Sequence, residues 1–176
     1  MKSHFENLDA KKKEVLDFTL SEQVHRFLLS LPIFSDNHPI IGGYYPLSDE
    51  ANWLSLFATS SNLAFPKICD ASNTMKFHQS NIDELQEEIH FGKVFKGPKN
   101  NLPEVKPEVL LIPGRAFSKS GERLGRGKGF YDKYLRNFDG LKIGVCYQWQ
   151  LLDEVPTEEH DQCVDWIVTN ETIAQC

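Results

Sequence analysis

Residues 121–134, with the sequence GERLGRGKGFYDKY, have the residue types of an anion-binding loop. Glycines recur at positions 121, 125, 127 and 129, and Arg123, Arg126 and Lys128 lie between them. Glycine allows backbone amides to approach phosphate oxygens closely or to adopt positive φ, while Arg and Lys supply positive charge. The stretch therefore predicts a phosphate site, of the kind that binds a nucleotide. The alternative is a solvated basic surface loop without a ligand.

The distribution of charge along the chain also favours an anion site. Residues 115–136 contain seven Lys or Arg side chains and two acidic ones, so their net charge is +5 in a chain of net charge −6. A local cationic region in an acidic protein concentrates polyanionic ligands at one place. The acidic remainder argues against general binding of nucleic acids or anionic membranes. An RNA-binding protein that uses this one loop is the alternative from a different functional class.

Two predicted elements position the loop. The apolar, β-branched run Val109–Pro113 predicts a buried strand before it. Aromatic and apolar residues recur at helical spacing after it, so a helix is predicted to begin near Gly129; they are Phe130, Tyr131, Tyr134, Leu135 and Phe138. In such an arrangement the amides of the loop and of the first helical turn point towards a bound anion.

Elsewhere the apolar pattern alternates between helices and strands. Residues 8–31 have a helical periodicity that Pro32 ends, and residues 48–50 are typical of a helix start that leads into residues 51–57. Residues 81–88 predict a solvated connection or a short helix. Strands are predicted at residues 40–45, 63–68, 75–78, 109–113, 142–147 and 166–169, with Pro66 indicating an edge or a bulge. We expect an α/β fold with three layers (α/β/α), in which helices flank a mixed, mostly parallel sheet.

The length and composition of the chain predict a single soluble domain over residues 1–176. No apolar run is long enough to cross a membrane, and the N-terminus lacks the apolar region of a signal peptide. The four cysteines have neither C-x-x-C nor zinc-site spacing. Cys69 and Cys146 fall in predicted strands, where buried free thiols are expected. We expect a cytoplasmic, disulfide-free monomer with no membrane or nucleic-acid partner.

Ligands of parallel α/β sheets bind beyond the carboxyl ends of the strands. The loops that follow residues 45, 112 and 147 are therefore expected to converge. A phosphate site with carboxylates nearby indicates magnesium, which takes oxygen ligands and often only one or two protein carboxylates. Asp132 and Asp161 are the candidates. The alternative for Asp132 is stabilisation of the helix start, and the alternative for His160 is an ordinary loop histidine.

Several motifs together resemble the 5-formyltetrahydrofolate cyclo-ligase family, also called the methenyltetrahydrofolate synthetases. The main signature is IPGRAF at residues 112–117, followed by G-x-RLGRGKGFYD at residues 121–132. Further matches occur in the same order along the chain. They are Y-x-P-x-x-x-E at 44–50, M-x-F at 75–77, I-G at 143–144, Y-x-x-Q at 147–150, P-x-E-x-H-D at 156–161 and I-V-T at 167–169. The resemblance covers approximately residues 40–170.

The resemblance implies a fold like that of the NagB/RpiA/CoA-transferase group and an ATP- and Mg²⁺-dependent reaction. The reaction converts 5-formyltetrahydrofolate into 5,10-methenyltetrahydrofolate through a phosphorylated formyl group, and it releases ADP and phosphate. The resemblance assigns the folate to Glu50, Met75 and Tyr131, and the metal to Asp132 and Asp161. It assigns ATP to Lys2, Arg123, Leu124, Gly125, Arg126, Gly127, Lys128, Gly129, Phe130 and Tyr131. Of these, Arg126, Lys128 and Tyr131 are the implied catalytic residues.

Other interpretations of the same residues stay open at this point. Core packing explains Met75 and Phe77 equally well, because both lie on one face of a predicted strand. The chain departs from the family pattern at Glu6, where the family has an N-terminal arginine, and at Gly97-Pro98, where it has an E-P pair. A non-catalytic folate- or nucleotide-binding relative of the same fold is the alternative function.

Overall fold

The computed structural model describes residues 5, 8–35, 37–69, 71–158 and 161–176, in which strands predominate over helices. The strands are β1 (Ile41–Gly42), β2 (Leu63–Cys69), β3 (Thr74–Gln79), β4 (Gln86–His90), β5 (Lys93–Gly97), β6 (Glu104–Val105), β7 (Val109–Pro113), β8 (Ala116–Ser118), β9 (Arg123–Leu124), β10 (Leu141–Val145), β11 (Leu151–Leu152), β12 (Trp166–Val168) and β13 (Ile173–Gln175). The α-helices are α1 (Ala10–Ser30) and α2 (Phe130–Leu135). Short 3₁₀-helices cover Pro32–Phe34, Leu54–Leu56, Ile82–Glu84 and Gln148–Gln150.

An eight-stranded sheet in the order β13-β12-β10-β7-β1-β2-β3-β6 is the centre of the fold. Its inner strands, from β12 to β2, pair in parallel, whereas β13, β3 and β6 join antiparallel at the two sides. Two smaller sheets accompany it, β11-β8-β9 and the hairpin β4–β5. This architecture confirms the predicted mixed, mostly parallel α/β sheet.

The two faces of the sheet carry separate apolar clusters. Val109 and Leu111 of β7 pack in the cluster that contains the buried side chains of α1, whereas Leu110 and Ile112 pack in the cluster that contains those of α2. The alternation follows from the two-residue period of a strand, whose successive side chains point to opposite faces. The layers are therefore helix, sheet and helix, as predicted.

Helix α1 agrees closely with its prediction. Asp9 caps its N-terminus by accepting a hydrogen bond from the Lys12 amide at 2.9 Å, and Pro32 follows its end. Its buried apolar face consists of Leu20, Val24, Phe27 and Leu28. Within the described ranges, no helix is long and apolar enough to cross a membrane.

The α-helix predicted from residues 48–50 through residue 57 is wrong. The structure has a turn there, followed only by the 3₁₀-helix Leu54–Leu56. Trp53, which is fully buried, fixes this irregular backbone. Its indole N–H donates to the Tyr44 carbonyl at 3.1 Å, and its carbonyl accepts from the Ser21 hydroxyl at 2.7 Å. Tertiary hydrogen bonds therefore replace the helical ones.

Other local predictions were met in part. Pro66 is paired with Phe77 of β3, but β1 reaches only Leu63 and Ala64 on the other side of β2, so Pro66 lies on an edge-like stretch. Residues 81–88 were expected to form a solvated connection or a short helix. Residues 82–84 form a short 3₁₀-helix, but residues 86–88 belong to strand β4. Cys146 is buried as predicted, whereas Cys69 is exposed, because β2 leaves the core at that end.

Candidate active site

A cavity of about 160 Å³ lies where the segments after β1 and β7 meet the hairpin β4–β5. The segment after β1 contributes Tyr44, Tyr45 and Glu50, and the segment after β7 contributes the glycine-rich basic loop. The loops that follow these two strands converge, as expected for the carboxyl ends of parallel strands. The volume is below the roughly 300–1,000 Å³ of common small-molecule sites, so a large ligand would extend out of the cavity.

Residues 148–150 form the third expected loop. They are not among the described residues that line the cavity, but they contact the basic loop. Gln150 is almost fully buried, and its side-chain amide donates to the carbonyls of Gly114 and Arg115 at 3.2 and 3.1 Å. It thereby holds the start of the basic loop in place.

Arg126 joins the basic loop to the segment that carries Glu50. Its Nε donates to Glu50 Oε1 at 2.9 Å, and an Nη donates to Asp49 Oδ1 at 2.5 Å. Burial raises the pKa of Asp49, but the hydrogen bond and charge of Arg126 outweigh this effect and leave the pKa below its usual value. Glu50 Oε2 also accepts from the Leu47 amide. Its carboxylate has lone pairs for a further donor.

Arg123 lies deeper than Arg126 and is paired differently. It donates to Asp132 Oδ1 at 2.7 Å, and the side chains of this pair are only 6% and 15% exposed. Its guanidinium also lies 5.5 Å from the centre of the Tyr131 ring. A Cβ on Gly125 would stand 2.9 Å from an Nη of Arg123, so the glycine makes room for this buried cation.

Gly127 and Gly129 serve the loop through their backbone conformation. Their φ angles are +76° and +69°, a region that residues with a Cβ rarely adopt. A Cβ at either position would meet no atom within 4 Å. The backbone of the loop therefore lies open, beside the cations Arg126 and Lys128, at the place where the sequence predicts phosphate. Helix α2 has only six residues, so the loop itself must supply most of the attraction for an anion.

Tyr131 lines the cavity and has a polar group whose hydrogen bonds are not satisfied by the described residues. Its hydroxyl is buried and has no hydrogen-bond partner among the described residues. Burial, and then the negative charge of Glu50, raise the pKa of this phenol. The hydroxyl is therefore protonated at neutral pH and can donate a hydrogen bond. A buried polar group without a partner is costly, which favours a ligand as its partner.

The hairpin β4–β5 forms a wall of the cavity that sequence reasoning missed. Phe91 lies beside Phe130, with 5.8 Å between the ring centres, and Lys128 stands 4.4 Å from the centre of the Phe91 ring. Lys96 stands 4.7 Å from the centre of the Tyr45 ring. Flat apolar side chains thus border the basic loop, a combination that suits a ligand with both rings and phosphates.

The sequence pattern that defines the 5-formyltetrahydrofolate cyclo-ligase family matches residues 8–170. The chain belongs to this family of ligases. A 5-formyltetrahydrofolate cyclo-ligase from Mycoplasma genitalium is 29% identical to it over 170 residues, which make up 93% of this chain and 89% of that protein. A probable 5-formyltetrahydrofolate cyclo-ligase from Schizosaccharomyces pombe is 29% identical over 136 residues, or 66% of this chain and 65% of the yeast protein.

Solved structures of two 5,10-methenyltetrahydrofolate synthetases share the fold. The NMR structure of the Aquifex aeolicus protein is 30% identical and superimposes with a TM-score of 0.75, covering 96% of this chain and 85% of that one. The Mycoplasma pneumoniae protein is 21% identical and superimposes with a TM-score of 0.72, covering 96% of this chain and 93% of that one.

Most of the residues that the cyclo-ligase resemblance assigned to a ligand line this one cavity. Those assigned to ATP line the cavity, except for Leu124, whose carbonyl accepts from the Arg115 amide, and Lys2, which lies outside the described residues. Glu50, Met75 and Asp132 line the cavity as well. Phe77 is buried and packs against Tyr134, so core packing accounts for it.

The two residues predicted to bind the metal, Asp132 and Asp161, lie in different surroundings. Asp132 lines the cavity and binds Arg123. Asp161 does not belong to the described lining and accepts a hydrogen bond from the Glu158 amide; its neighbour His160 lies outside the described residues. Within the described ranges, no group of three or more His, Cys, Asp or Glu side chains is arranged to hold a metal ion.

Proposed function

We propose that this chain is an active 5-formyltetrahydrofolate cyclo-ligase, which converts 5-formyltetrahydrofolate and ATP into 5,10-methenyltetrahydrofolate, ADP and phosphate. The observation that carries the proposal is the cavity in which the basic glycine loop, Glu50 and a set of flat apolar side chains meet. Family membership supplies the reaction, and the cavity supplies surfaces for both of its substrates.

The reaction needs an activation step because the formyl oxygen is a poor leaving group. Transfer of the γ-phosphoryl group of ATP to that oxygen turns it into phosphate, which leaves readily. Nitrogen N10 of the same folate then attacks the formyl carbon and closes the ring. Phosphoryl transfer asks a protein mainly for positioning and for stabilisation of charge, so the residues of the cavity can be assigned on that basis.

The basic loop holds the triphosphate. The open backbone at Gly127 and Gly129 brings amide donors to the phosphate oxygens, while Arg126 and Lys128 neutralise their charge. The charge of Arg123 is already paired with Asp132. Arg123 therefore stabilises the conformation of the loop and does not bind phosphate directly. The positive charge of the loop stabilises the negative charge on the phosphoryl group during its transfer.

Glu50, Met75 and Tyr131 hold the folate. The Glu50 carboxylate accepts hydrogen bonds from the N–H groups of the pterin, and the Met75 side chain gives a flat ring an apolar contact. The Tyr131 hydroxyl donates to the formyl oxygen or to the phosphate that replaces it. This role is supported by its burial without a partner among the described residues.

Magnesium belongs to the proposal as the partner of the ATP phosphates. Asp132 is the better placed protein ligand because it lines the cavity, and Asp161 is the second. The absence of a metal-binding cluster among the described residues fits an ion held mainly by phosphates and water, as is usual for Mg²⁺. When bound, the ion would neutralise charge that develops on the phosphates.

We propose that the protein works in the cytoplasm as a monomer. The elements of one chain bring the basic loop, Glu50 and the apolar hairpin side chains to the same cavity, which supports this proposal. The basic loop borders a partly apolar cavity and not an extended basic face, which argues against the RNA-binding alternative.

Calorimetry combined with a turnover assay tests the proposal. The protein should bind Mg²⁺·ATP and 5-formyltetrahydrofolate and should release ADP only when both are present. Binding of either ligand without turnover would favour the non-catalytic alternative. No binding of either ligand by folded protein would refute both.

A further inference from the structure

Asp49 is a charged residue beside the cavity that contacts a residue inside it. Arg126 and Glu50 line the cavity, whereas Asp49 does not belong to the described lining. Its Oδ1 accepts a hydrogen bond from an Nη of Arg126 at 2.5 Å, and its side chain is 48% exposed. The motif Y-x-P-x-x-x-E leaves position 49 unspecified, and the substrate contacts proposed above give Asp49 no role.

Two carboxylates hold the Arg126 guanidinium through different nitrogens. Nε donates to Glu50 Oε1 at 2.9 Å, and Nη donates to Asp49. Because a guanidinium is planar and rigid, two contacts on different nitrogens fix both its position and its plane. Arginine has more N–H donors than these two contacts use, so Arg126 can donate to a phosphate of ATP without leaving either carboxylate.

Glu50 is the buried member of this group, with a side chain that is 11% exposed. Its Oε1 accepts from Arg126, and its Oε2 accepts from the Leu47 amide at 2.9 Å. Both oxygens have a further lone pair, so Glu50 can accept from the N–H groups of the pterin while it stays paired with Arg126. The pairing also compensates the cost of burying the carboxylate.

The Arg126–Glu50 ion pair therefore joins the two proposed substrate sites directly. Along this line the charges alternate, from the phosphate through Arg126 and Glu50 to the N–H groups of the pterin. A ligand at one end restrains the ion pair and removes part of the ordering cost for the ligand at the other end. Such coupling is reciprocal, so each substrate must strengthen the binding of the other by the same factor.

Asp49 opposes the one movement that would break this line. The phosphates attract the guanidinium, and an Arg126 held by Glu50 alone would be free to turn towards them and leave Glu50 buried without its partner. Burial raises the pKa of Asp49, but the hydrogen bond and charge of Arg126 outweigh this effect. Asp49 is therefore ionised at neutral pH and holds the guanidinium by charge as well as by a hydrogen bond.

We propose that Asp49 is a positioning residue that keeps the Arg126–Glu50 pair in place and thereby couples the binding of ATP and 5-formyltetrahydrofolate. This inference rests on the proposed function. A purely structural Asp49 would affect only the stability of its loop. A positioning residue also changes the affinity for one substrate in the presence of the other.

Calorimetry with a non-hydrolysable ATP analogue and Mg²⁺, with and without saturating 5-formyltetrahydrofolate, tests the inference. Coupling between sites is typically about 5–150-fold, so the folate should lower the Kd of the analogue for the wild-type protein by about fivefold or more. The analogue should lower the Kd of the folate by the same factor. Asp49→Ala should reduce this coupling factor by at least about threefold, and Asp49→Glu, which keeps the charge, should retain more of it.

The matched control is Asp153→Ala. It removes another exposed carboxylate that is paired with a cation, Lys119, but neither residue of that pair lines the cavity. The coupling factor should therefore stay at its wild-type value. An equal loss in Asp153→Ala and Asp49→Ala would show that the effect does not arise from Arg126.

Two further results would overturn the inference. One is an Asp49→Ala variant that keeps the coupling factor of the wild-type protein. The other is a wild-type protein whose ligands bind independently or weaken each other, because the ion pair would then not be shared between them. If Asp49→Ala does not fold, Asp49→Asn takes its place, and unchanged coupling in that variant would be equally decisive. Wild-type protein that binds neither ligand would instead contradict the proposed function, on which the inference rests.

Discussion

Arg123 and Arg126 belong to the same loop but have different surroundings. Arg123 and its partner Asp132 are almost fully buried, whereas the Arg126 side chain is 27% exposed and shares its charge between Asp49 and Glu50. Removing one partner of a buried ion pair leaves an uncompensated charge, which is costly. More exposed pairs contribute much less to stability. At the scale of single residues, the two arginines should therefore separate into a structural and a substrate-binding role.

We predict that Arg123→Gln lowers the free energy of unfolding by about 3–5 kcal/mol. Arg126→Gln, its comparison variant, should lower it less, because Arg126 is 27% exposed and its partner Asp49 is 48% exposed, although the buried Glu50 also loses a partner. It should raise the KM for ATP. Urea unfolding and steady-state kinetics measure the two effects. Equal stability losses in the two variants would show that the burial of Arg123 does not have this consequence.

Tyr131 allows a second residue-level prediction. Tyr131→Phe removes a donor that we assign to the reacting oxygen, and loss of one such donor costs about 10²-fold in kcat. Its thermal stability should not fall, because the hydroxyl has no partner among the described residues. Tyr134→Phe on the same helix, away from the cavity lining, should keep kcat within about twofold. A Tyr131→Phe variant as active as Tyr134→Phe would remove the hydroxyl from the mechanism.

At the scale of elements, the glycine loop makes a specific demand on its backbone. Gly127 has a φ of +76°, and Gly92 at the tip of the β4–β5 hairpin has a φ of +72°. A Cβ would meet no atom within 4 Å at either position. The two glycines therefore share the same conformational constraint, but only Gly127 belongs to the cavity lining.

We predict that Gly127→Ala and Gly92→Ala each destabilise the fold by about 1–2 kcal/mol, because alanine is strained at these φ angles. Gly127→Ala should also raise the KM for ATP by roughly tenfold, about 1.4 kcal/mol, because its methyl group occupies space assigned to phosphate. Chemical unfolding and kinetics of both variants check this. A similar KM in both variants would argue against a phosphate site at Gly127.

The elements that sequence predicted well have strong local signals. Val109–Pro113 is a continuous apolar run, and residues 130–138 have helical spacing after a glycine, so β7 and the start of α2 were predictable. The hairpin β4–β5 was missed because residues 86–88 are all polar or charged and pair only with β5. Such a strand lacks the apolar alternation of a half-buried one.

The site was predictable to the extent that its residues belong to motifs. The contact between Arg126 and Glu50 joins residues that are 76 positions apart, and no local pattern pairs them. The resemblance assigned them to the two substrates of one reaction, but their direct ion pair emerged only with the fold. Glu88 and His90 of the hairpin, which also line the cavity, had no such signal, because a polar pair on a short hairpin resembles any solvated segment.

At the scale of the whole molecule, the burial of the four cysteines shows which parts of the chain lie in the core. None of the four is in a disulfide. Cys146 is fully buried, and burial raises the pKa of its thiol, whereas Cys69, Cys163 and Cys176 are exposed. Burial also raises the pKa of Cys176 to about 11, so this thiol reacts slowly at neutral pH despite its exposure.

We predict that a thiol-specific reagent modifies three cysteines of the native protein at pH 8, with Cys176 among the slower ones, and a fourth only in denaturant. The buried thiol needs unfolding to become accessible and to ionise. Mass spectrometry of modified peptides identifies the positions. Rapid native modification of Cys146, or fewer than four thiols after unfolding under non-reducing conditions, would contradict the fold described here.

The ring closure itself provides the most direct test of the account. Purified protein mixed with 5-formyltetrahydrofolate, Mg²⁺ and ATP should develop the near-ultraviolet absorbance of 5,10-methenyltetrahydrofolate, with one ADP formed for each methenyl product. Omission of ATP should abolish the signal, and Tyr131→Phe should slow it while Tyr134→Phe should not. Folded protein at high concentration that gives no absorbance change with all three components present would contradict the central claim that this cavity closes the folate ring.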